Sequence, residues 1–287
     1  MSADFTVQKT DFSVENHTEV RLMPYYDHAG ITIYNADCRD VLPCLPKVDL
    51  VLTDPPYGIS MVGIAHEGPT GKGTRNFDFF PNDSAAESCS LALEVASMTD
   101  ALLGDAGSGY MWCGHRQFAE LTVARELAGW KTRFLVWVKS CPAPPPPGSG
   151  WPSGAELCVY WFRPGRRWMH DGKTAPRSNV IVADSYRFGQ PGKVNHPTQK
   201  PPAVIAPLVR ASSSPSDMIL DPFMGSGTTL VAAKQLGRRA IGIEIEERYC
   251  EIAAKRLSQE VFDWEIPQIM EGEPDEGDNL FSTLESG

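Results

Sequence analysis

The segment "DPFMGSGTTL" (221–230) narrows what this chain can fold into more than any other. It follows the apolar run 218–220 and leads into residues with helical spacing at 228–236. Gly225 and Gly227 let the backbone turn sharply, and without a Cβ they leave room for a ligand to approach it. The next apolar run, 239–244, ends in Glu244. A strand, a glycine turn, a helix and a second strand ending in a carboxylate make the unit on which α/β sheets hold a nucleoside, the carboxylate accepting from two ribose hydroxyls. A strand–helix turn that needs only glycine, followed by a solvated Glu, has the same pattern, so the rest of the chain must decide.

Elsewhere the chain has the alternation that such a sheet requires. Residues 31–37, 47–54, 109–114, 130–140, 155–163, 218–223 and 239–244 read as strands. Residues 84–103, 115–128, 202–212, 228–236 and 246–259 read as helices, with Asp83 or Ser84 as the cap of the first. The alternation predicts a doubly wound, mostly parallel α/β sheet. Four consecutive prolines at 144–147 forbid regular structure there. Residues 164–200 read as loop, residues 1–29 as a polar, aperiodic arm, and the chain after Trp264 as a tail with few core-forming residues.

The ligand follows from the residues beside the turn. A dinucleotide fingerprint asks for a third glycine where this chain has Leu230. Asp221, just before the turn, would repel a pyrophosphate and accept an ammonium. S-adenosylmethionine therefore fits better than NAD. In "GPTGKGT" (68–74), Lys72 is followed by Gly73 rather than Ser or Thr and no helix opens at once, so this is not a phosphate loop.

Composition excludes several classes. With 287 residues and 42% hydrophobic content, the chain can build one large domain or two small ones. No apolar run is long enough to span a membrane, and the start has neither the basic nor the apolar region of a secretory signal. The seven cysteines are dispersed, none forms a CxxC pair, and the histidines do not cluster with them, so neither a zinc site nor a disulfide framework is expected and a reduced cytoplasm fits. The net charge of −10 is unevenly placed: residues 259–287 hold nine acidic residues and no Lys or Arg, and without them the charge is −1. Residues 130–200 hold eleven basic residues against three acidic ones, the asymmetry expected where one face meets phosphate.

The run 47–54 ends in Asp54-Pro55-Pro56-Tyr57. Alone, this is a strand-to-loop turn with Asp and Pro as punctuation. Together with the later "DPFMGSGTT" it resembles the motif pair of the DNA amino-methyltransferases, which methylate exocyclic amines of adenine or cytosine, in the β-class order with the catalytic motif first. "HPTQKP" (196–201) is a further signature of that class, and "NADCRDVLP" (35–43) is similar to its adenine-binding segment. "FFPND" (79–83), "VWVK" (136–139) and "AELCVYWF" (155–162) occupy familiar places. The resemblance covers residues 31–257 and implies a Rossmann-like methyltransferase fold, S-adenosylmethionine as cofactor and double-stranded DNA as partner.

It also implies roles. Asp37 would accept from the cofactor's adenine amine, with the Cys38 backbone nearby. Asp221, Phe223, Gly225, Gly227 and Thr228 would surround the methionine portion, and Thr198 and Lys200 would hold its carboxylate side. Glu244 would take the ribose, and Ile245 would pack on the adenine or fill the core. Asp54 and the Pro55 carbonyl would accept hydrogen bonds from the target amine, freeing its lone pair, while the two prolines, Pro55 and Pro56, stiffen the turn. Tyr57 offers a face on which an extruded base can stack. No metal is needed. Asp at the first motif position favours N6 of adenine; the cytosine-N4 enzymes more commonly carry Ser there, and that alternative stays open. A DNA-binding protein with a degenerate methyltransferase fold is disfavoured by the intact motifs.

The expected organisation is an arm (1–30), a catalytic half (31–139), an inserted target-recognition region (140–195), a cofactor-binding half (196–259) and an acidic tail (260–287). Arg163, Arg166, Arg167, Arg177 and Arg187 are candidates for phosphate or guanine contacts. Trp151 and Trp168 wedge into the duplex or pack locally. A homodimer is also open.

Overall fold

The computed structural model describes residues 22–58, 84–142, 150–163, 178–186 and 189–259. The stretches 68–74 and 79–83, the acidic tail, Trp168, and Arg166, Arg167, Arg177 and Arg187 lie outside the described residues. Fifteen elements position the rest. They run β1 (Tyr26–His28), β2 (Ile31–Asn35), α1 (Cys38–Val41), β3 (Val48–Thr53), α2 (Ala85–Leu102), β4 (Leu103–Cys113) and α3 (His115–Leu127). Then come β5 (Lys131–Lys139), β6 (Ala155–Phe162), β7 (Val180–Ala183), α4 (Pro202–Ser212), β8 (Met218–Asp221), α5 (Thr228–Gln235), β9 (Arg239–Glu244) and α6 (Glu247–Leu257).

The strands form one sheet in the order β1-β2-β9-β8-β3-β4-β6-β5-β7. Its centre, β2-β9-β8-β3-β4, is parallel throughout. Such strands are covered on both faces and read as near-continuous apolar runs, as "VDLVLT" and "RAIGIE" do. On one face Val204, Leu208 and Val231 pack over Leu50 and Ile219; on the other Val95, Ala96 and Leu121 pack over Val51 and Met111. The chain winds from β3 outward through β4 and from β8 outward through β9, so the winding reverses between β3 and β8. Crevices at such a reversal, beyond the carboxyl ends of the strands, are where open α/β sheets bind ligands.

Local chemistry sets the helix bounds. Ser84 caps α2, its Oγ accepting from the Glu87 N–H at 3.3 Å and donating to the Glu87 carboxylate at 2.5 Å. Pro201 and Pro202 open α4, where a missing N–H costs no helix bond. Gly109 lets β4 pass under Trp161, since a Cβ there would lie 2.1 Å from the indole ring.

Four sequence expectations change. The arm is not free up to residue 30, because β1 pairs antiparallel with β2 and buries Tyr25 and Tyr26. Three strand residues are too few to show a period. β4 is longer than the expected 109–114, beginning at Leu103. Residues 180–183, expected as loop, are β7, which pairs parallel with β5. Finally, part of the region expected as an insertion, 140–195, joins the sheet: β6 lies between β4 and β5, antiparallel to both. Among the described residues, no helix is long and apolar enough to cross a membrane.

Candidate active site

A cavity of about 690 Å³ opens at the carboxyl edge of the parallel strands. Asp54 and the glycine turn both line it. They meet at the reversal, where the Thr53 hydroxyl donates to Asp221 Oδ1 across β3 and β8 at 2.8 Å.

The glycine turn is tied down on three sides. Gly225 (φ 50°) and Gly227 (φ 78°) are left-handed; a Cβ on the first would lie 2.8 Å from His196 Nε2, and on the second 2.8 Å from Ala253 Cβ. The Met224 N–H donates to the Ile243 carbonyl at 3.1 Å. From α6 the buried Arg256 donates to the Ser226 carbonyl, and its nitrogen lies 3.4 Å from both Ser226 Oγ and Thr228 Oγ1. Sequence reasoning missed Arg256. Its signal was a cation on the apolar face of α6, one position from Leu257 and three from Ala253.

Two carboxyls face this turn. Glu244 Oε2 accepts from the Gly225 N–H at 3.0 Å and Oε1 from the Glu246 N–H at 2.8 Å. Burial nevertheless pushes Glu244 up to about 7, and burial likewise raises Asp221 to about 6. His196 behaves oppositely: burial and the cations Lys193, Arg256 and Lys200 depress it to about 3, leaving a neutral ring beside Gly225. A cationic ligand with paired hydroxyls suits these acceptors, because its charge favours ionised Glu244 and Asp221. S-adenosylmethionine, with an ammonium, a sulfonium and a ribose, has those features.

The outer residues are placed as follows. Asp37 caps α1 and pairs with Arg39 at 2.6 Å, which holds its carboxyl below the usual range. Cys38 is buried, with its thiol pushed up to about 12 mainly by burial. Ile245 is half exposed on the rim, and its carbonyl accepts from Asn35 Nδ2 at 3.0 Å. Thr198 is exposed on the rim, and Phe223 lines the cavity.

At the other end, the Tyr57 hydroxyl donates to Asp54 Oδ1 at 2.6 Å. Lys200 lines the cavity and reaches its Asp54 end. Its ammonium lies 2.6 Å from Asp54 Oδ2, 3.0 Å from Glu156 Oε2 and 3.1 Å from the Tyr57 oxygen. Lys139 closes the network on Glu156 Oε1 at 2.8 Å. Burial raises the Asp54 carboxyl, the nearby Lys200 ammonium pulling against it. Burial also raises Tyr57, keeping it a phenol. Glu156 is buried too, but Lys200 and Lys139 outweigh that and hold it at about 2. Burial opposes the Lys200 charge, and the two carboxylates outweigh it.

Glu156 and Gln117 were also missed. Glu156 was visible as the one acid in an otherwise apolar strand, "AELCVYWF". Gln117 donates to the Pro56 carbonyl at 2.7 Å and the Ser88 carbonyl at 3.2 Å, and accepts from the Gly114 N–H at 3.0 Å. It thereby fixes the turn after Asp54, though nothing in α3 marks it. Arg163 stands apart. It follows the end of β6 remote from Glu156, and its guanidinium lies 4.3 Å over the Trp130 ring. Trp151 is exposed. Among the described residues no group of three or more His, Cys, Asp or Glu could hold a metal.

A mixed sheet with a glycine-turn crevice at the reversal suits a nucleoside cofactor, and the carboxylate–tyrosine pair beside it suits a polar group brought to that cofactor. The family model described as DNA methylase (N6_N4_Mtase) matches residues 48–255, and the chain belongs to that family. It is an S-adenosylmethionine-dependent DNA methyltransferase. It is 28% identical over 250 residues to the type II methyltransferase M2.LlaDCHI of Lactococcus lactis subsp. cremoris, covering 82% of this chain and 92% of that one. To M2.DpnII of Streptococcus pneumoniae it is 28% identical over 251 residues, covering 83% and 93%. Among solved structures, the M1.HpyAVI complex with S-adenosylmethionine superposes with a TM-score of 0.63 at 26% identity, over 80% of this chain and all of that one. The cytosine-N4-specific PvuII methyltransferase superposes at 0.64 with 18% identity, over 83% and 90%, a likeness of fold alone.

Proposed function

We propose that the chain methylates the exocyclic N6 of adenine in duplex DNA, with the base turned out of the helix into the cavity. The observation that carries this reading is the junction at the reversal: Asp54 directly follows Thr53, whose hydroxyl bonds Asp221 beside the glycine turn. An amine held on Asp54 is thus adjacent to a cofactor held on the turn.

In this reading Glu244 accepts the ribose hydroxyls, Asp37 the cofactor's adenine amine, and Asp221 an ammonium, with Gly225, Gly227 and Thr228 against the methionine portion and Ile245 over the adenine. S-adenosylmethionine supplies an electrophilic methyl on sulfur. Asp54 and the Pro55 carbonyl orient the target amine for in-line attack, and Tyr57 supports the base. The burial that raises Asp54 also suits it to take the proton the amine gives up. Asp rather than Ser at position 54 favours adenine over cytosine. Arg166, Arg167, Arg177 and Arg187 remain the candidates for DNA contacts. Arg163, stacked on Trp130 at the far end of β6, has no support for that role.

Modification-sensitive sequencing of DNA from an expressing host tests the proposal. Adenine modified at a fixed sequence is expected, and its loss on expressing Asp54→Ala. Modified cytosine would favour the N4 reading.

Cofactor affinity should depend on pH. Glu244, raised to about 7 in the free protein, must be ionised to accept two hydroxyls, so binding below that pH has to expel a proton. The dissociation constant is expected to fall as pH rises from about 6 to 8, by up to about tenfold per pH unit below the pKa. Calorimetry in buffers of different ionisation enthalpy should show proton release near pH 6.5. An affinity flat across this range would remove Glu244 from the site.

A further inference from the structure

The ammonium of Lys200 has three protons to donate and three acceptors around it, Asp54 Oδ2, Glu156 Oε2 and the Tyr57 oxygen, at 2.6, 3.0 and 3.1 Å. Its side chain is 7% exposed, so water does little to screen it. This arrangement poses a chemical problem. During methyl transfer, positive charge leaves the cofactor sulfur and appears on the target nitrogen beside Asp54. An unbalanced ammonium on the same carboxylate would oppose that charge and weaken Asp54 as an acceptor. Glu156 lies where it cancels the ammonium, and Lys139 anchors its other oxygen from β5.

We propose that Glu156 is a positioning residue for methyl transfer, holding Lys200 so that the Asp54 carboxylate stays aimed at the target amine with its negative charge uncancelled. The proposal rests on the reading of Asp54 as the amine's acceptor. β6, antiparallel between β4 and β5, brings this carboxylate with its N-terminal end to the edge where β3 and β4 end. Among the described residues, the charged and titratable groups facing Asp54 are Tyr57 on its own turn, Glu156 and Cys158 on β6, Lys200 ahead of α4, Cys113 on β4 and Asp221 on β8. Lys139 on β5 reaches the group through Glu156. Cys113, raised by burial to about 12, stays a neutral thiol. Glu156 is therefore the group that offsets Lys200 without contributing to the cofactor turn.

The test is the pH profile of kcat at saturating cofactor and DNA, where Glu244 no longer governs the rate and the acid limb reports the enzyme–substrate complex. Glu156→Gln keeps the shape and removes the charge. It is expected to lower kcat at least about tenfold, to leave the S-adenosylmethionine dissociation constant within about threefold, and to move the acid limb to lower pH, because Asp54 then faces an unopposed ammonium. Lys139→Met removes a cation and is expected to move the limb to higher pH. Opposite shifts are the signature of charge, which a merely structural role would not produce. An unmoved limb, shifts of the same sign, or a loss of kcat that tracks a loss of cofactor affinity overturns the proposal. Should Glu156→Gln fail to fold by thermal melting, Lys139→Met decides alone: an upward shift supports the proposal and no shift overturns it. Failure of the Asp54 reading shows separately, as turnover retained in Asp54→Ala.

Discussion

Asp54→Ala is expected to cut methyl transfer by at least about 100-fold while leaving the cofactor dissociation constant within several-fold. Losing one preorganised acceptor of the reacting group costs about 2.7–4 kcal/mol in the transition state. Asp54 also anchors two neighbours, accepting from the Tyr57 hydroxyl at 2.6 Å and the Lys200 ammonium at 2.6 Å. Without it, Lys200 still has Glu156, so the fold should survive. The cofactor turn is held independently, by Ile243, Arg256 and Glu244. Single-turnover methylation and cofactor calorimetry on the same preparation separate the two effects. Near wild-type turnover would remove Asp54 from the chemistry, and a matching loss of cofactor binding would move it to the cofactor's side.

The second large effect belongs to Gly225→Val. A left-handed backbone costs an L residue roughly 1–2 kcal/mol, and a β-branched one is a true outlier there. The new Cβ would also lie 2.8 Å from His196 Nε2, whose ring packs edge-on against Tyr249 with centroids 4.4 Å apart and cannot simply withdraw. The substitution further shifts the Gly225 N–H that Glu244 accepts at 3.0 Å. Cofactor affinity is expected to fall at least about tenfold, equivalent to about 1.4 kcal/mol, with the methylation rate recovering in part at high cofactor concentration. Unchanged affinity by calorimetry in a folded variant would contradict the role of the turn.

The glycine turn, Glu244 and the Asp54 turn were legible because each is written locally, in consecutive residues whose backbone demands are severe. The bounds of α4 and β9 were legible for the same reason, through proline at one and β-branched apolar residues at the other. The partners of Lys200 were not. Its contacts with Asp54 and Glu156 depend on strand order and on the register that sets Cys113 opposite Leu157, and no spacing along the chain encodes either. Arg163 shows the same limit from the other side: it lies within the basic stretch, but β6 runs antiparallel and carries it to the far edge. Gln117 acts through the backbone carbonyls of Pro56 and Ser88, which any donor in its place could reach, so its residue type gave no signal. β1 and β7 are too short to display a period.

In the proposed function, the amine held on Asp54 is N6 of adenine. The most direct measurement is to incubate the purified protein with duplex DNA and methyl-labelled S-adenosylmethionine, digest the DNA to nucleosides, and identify the labelled nucleoside by chromatography and mass spectrometry. Label in N6-methyldeoxyadenosine, absent with Asp54→Ala, is the predicted result. Label in N4-methyldeoxycytidine, or in no nucleoside while the protein still binds cofactor, would contradict it.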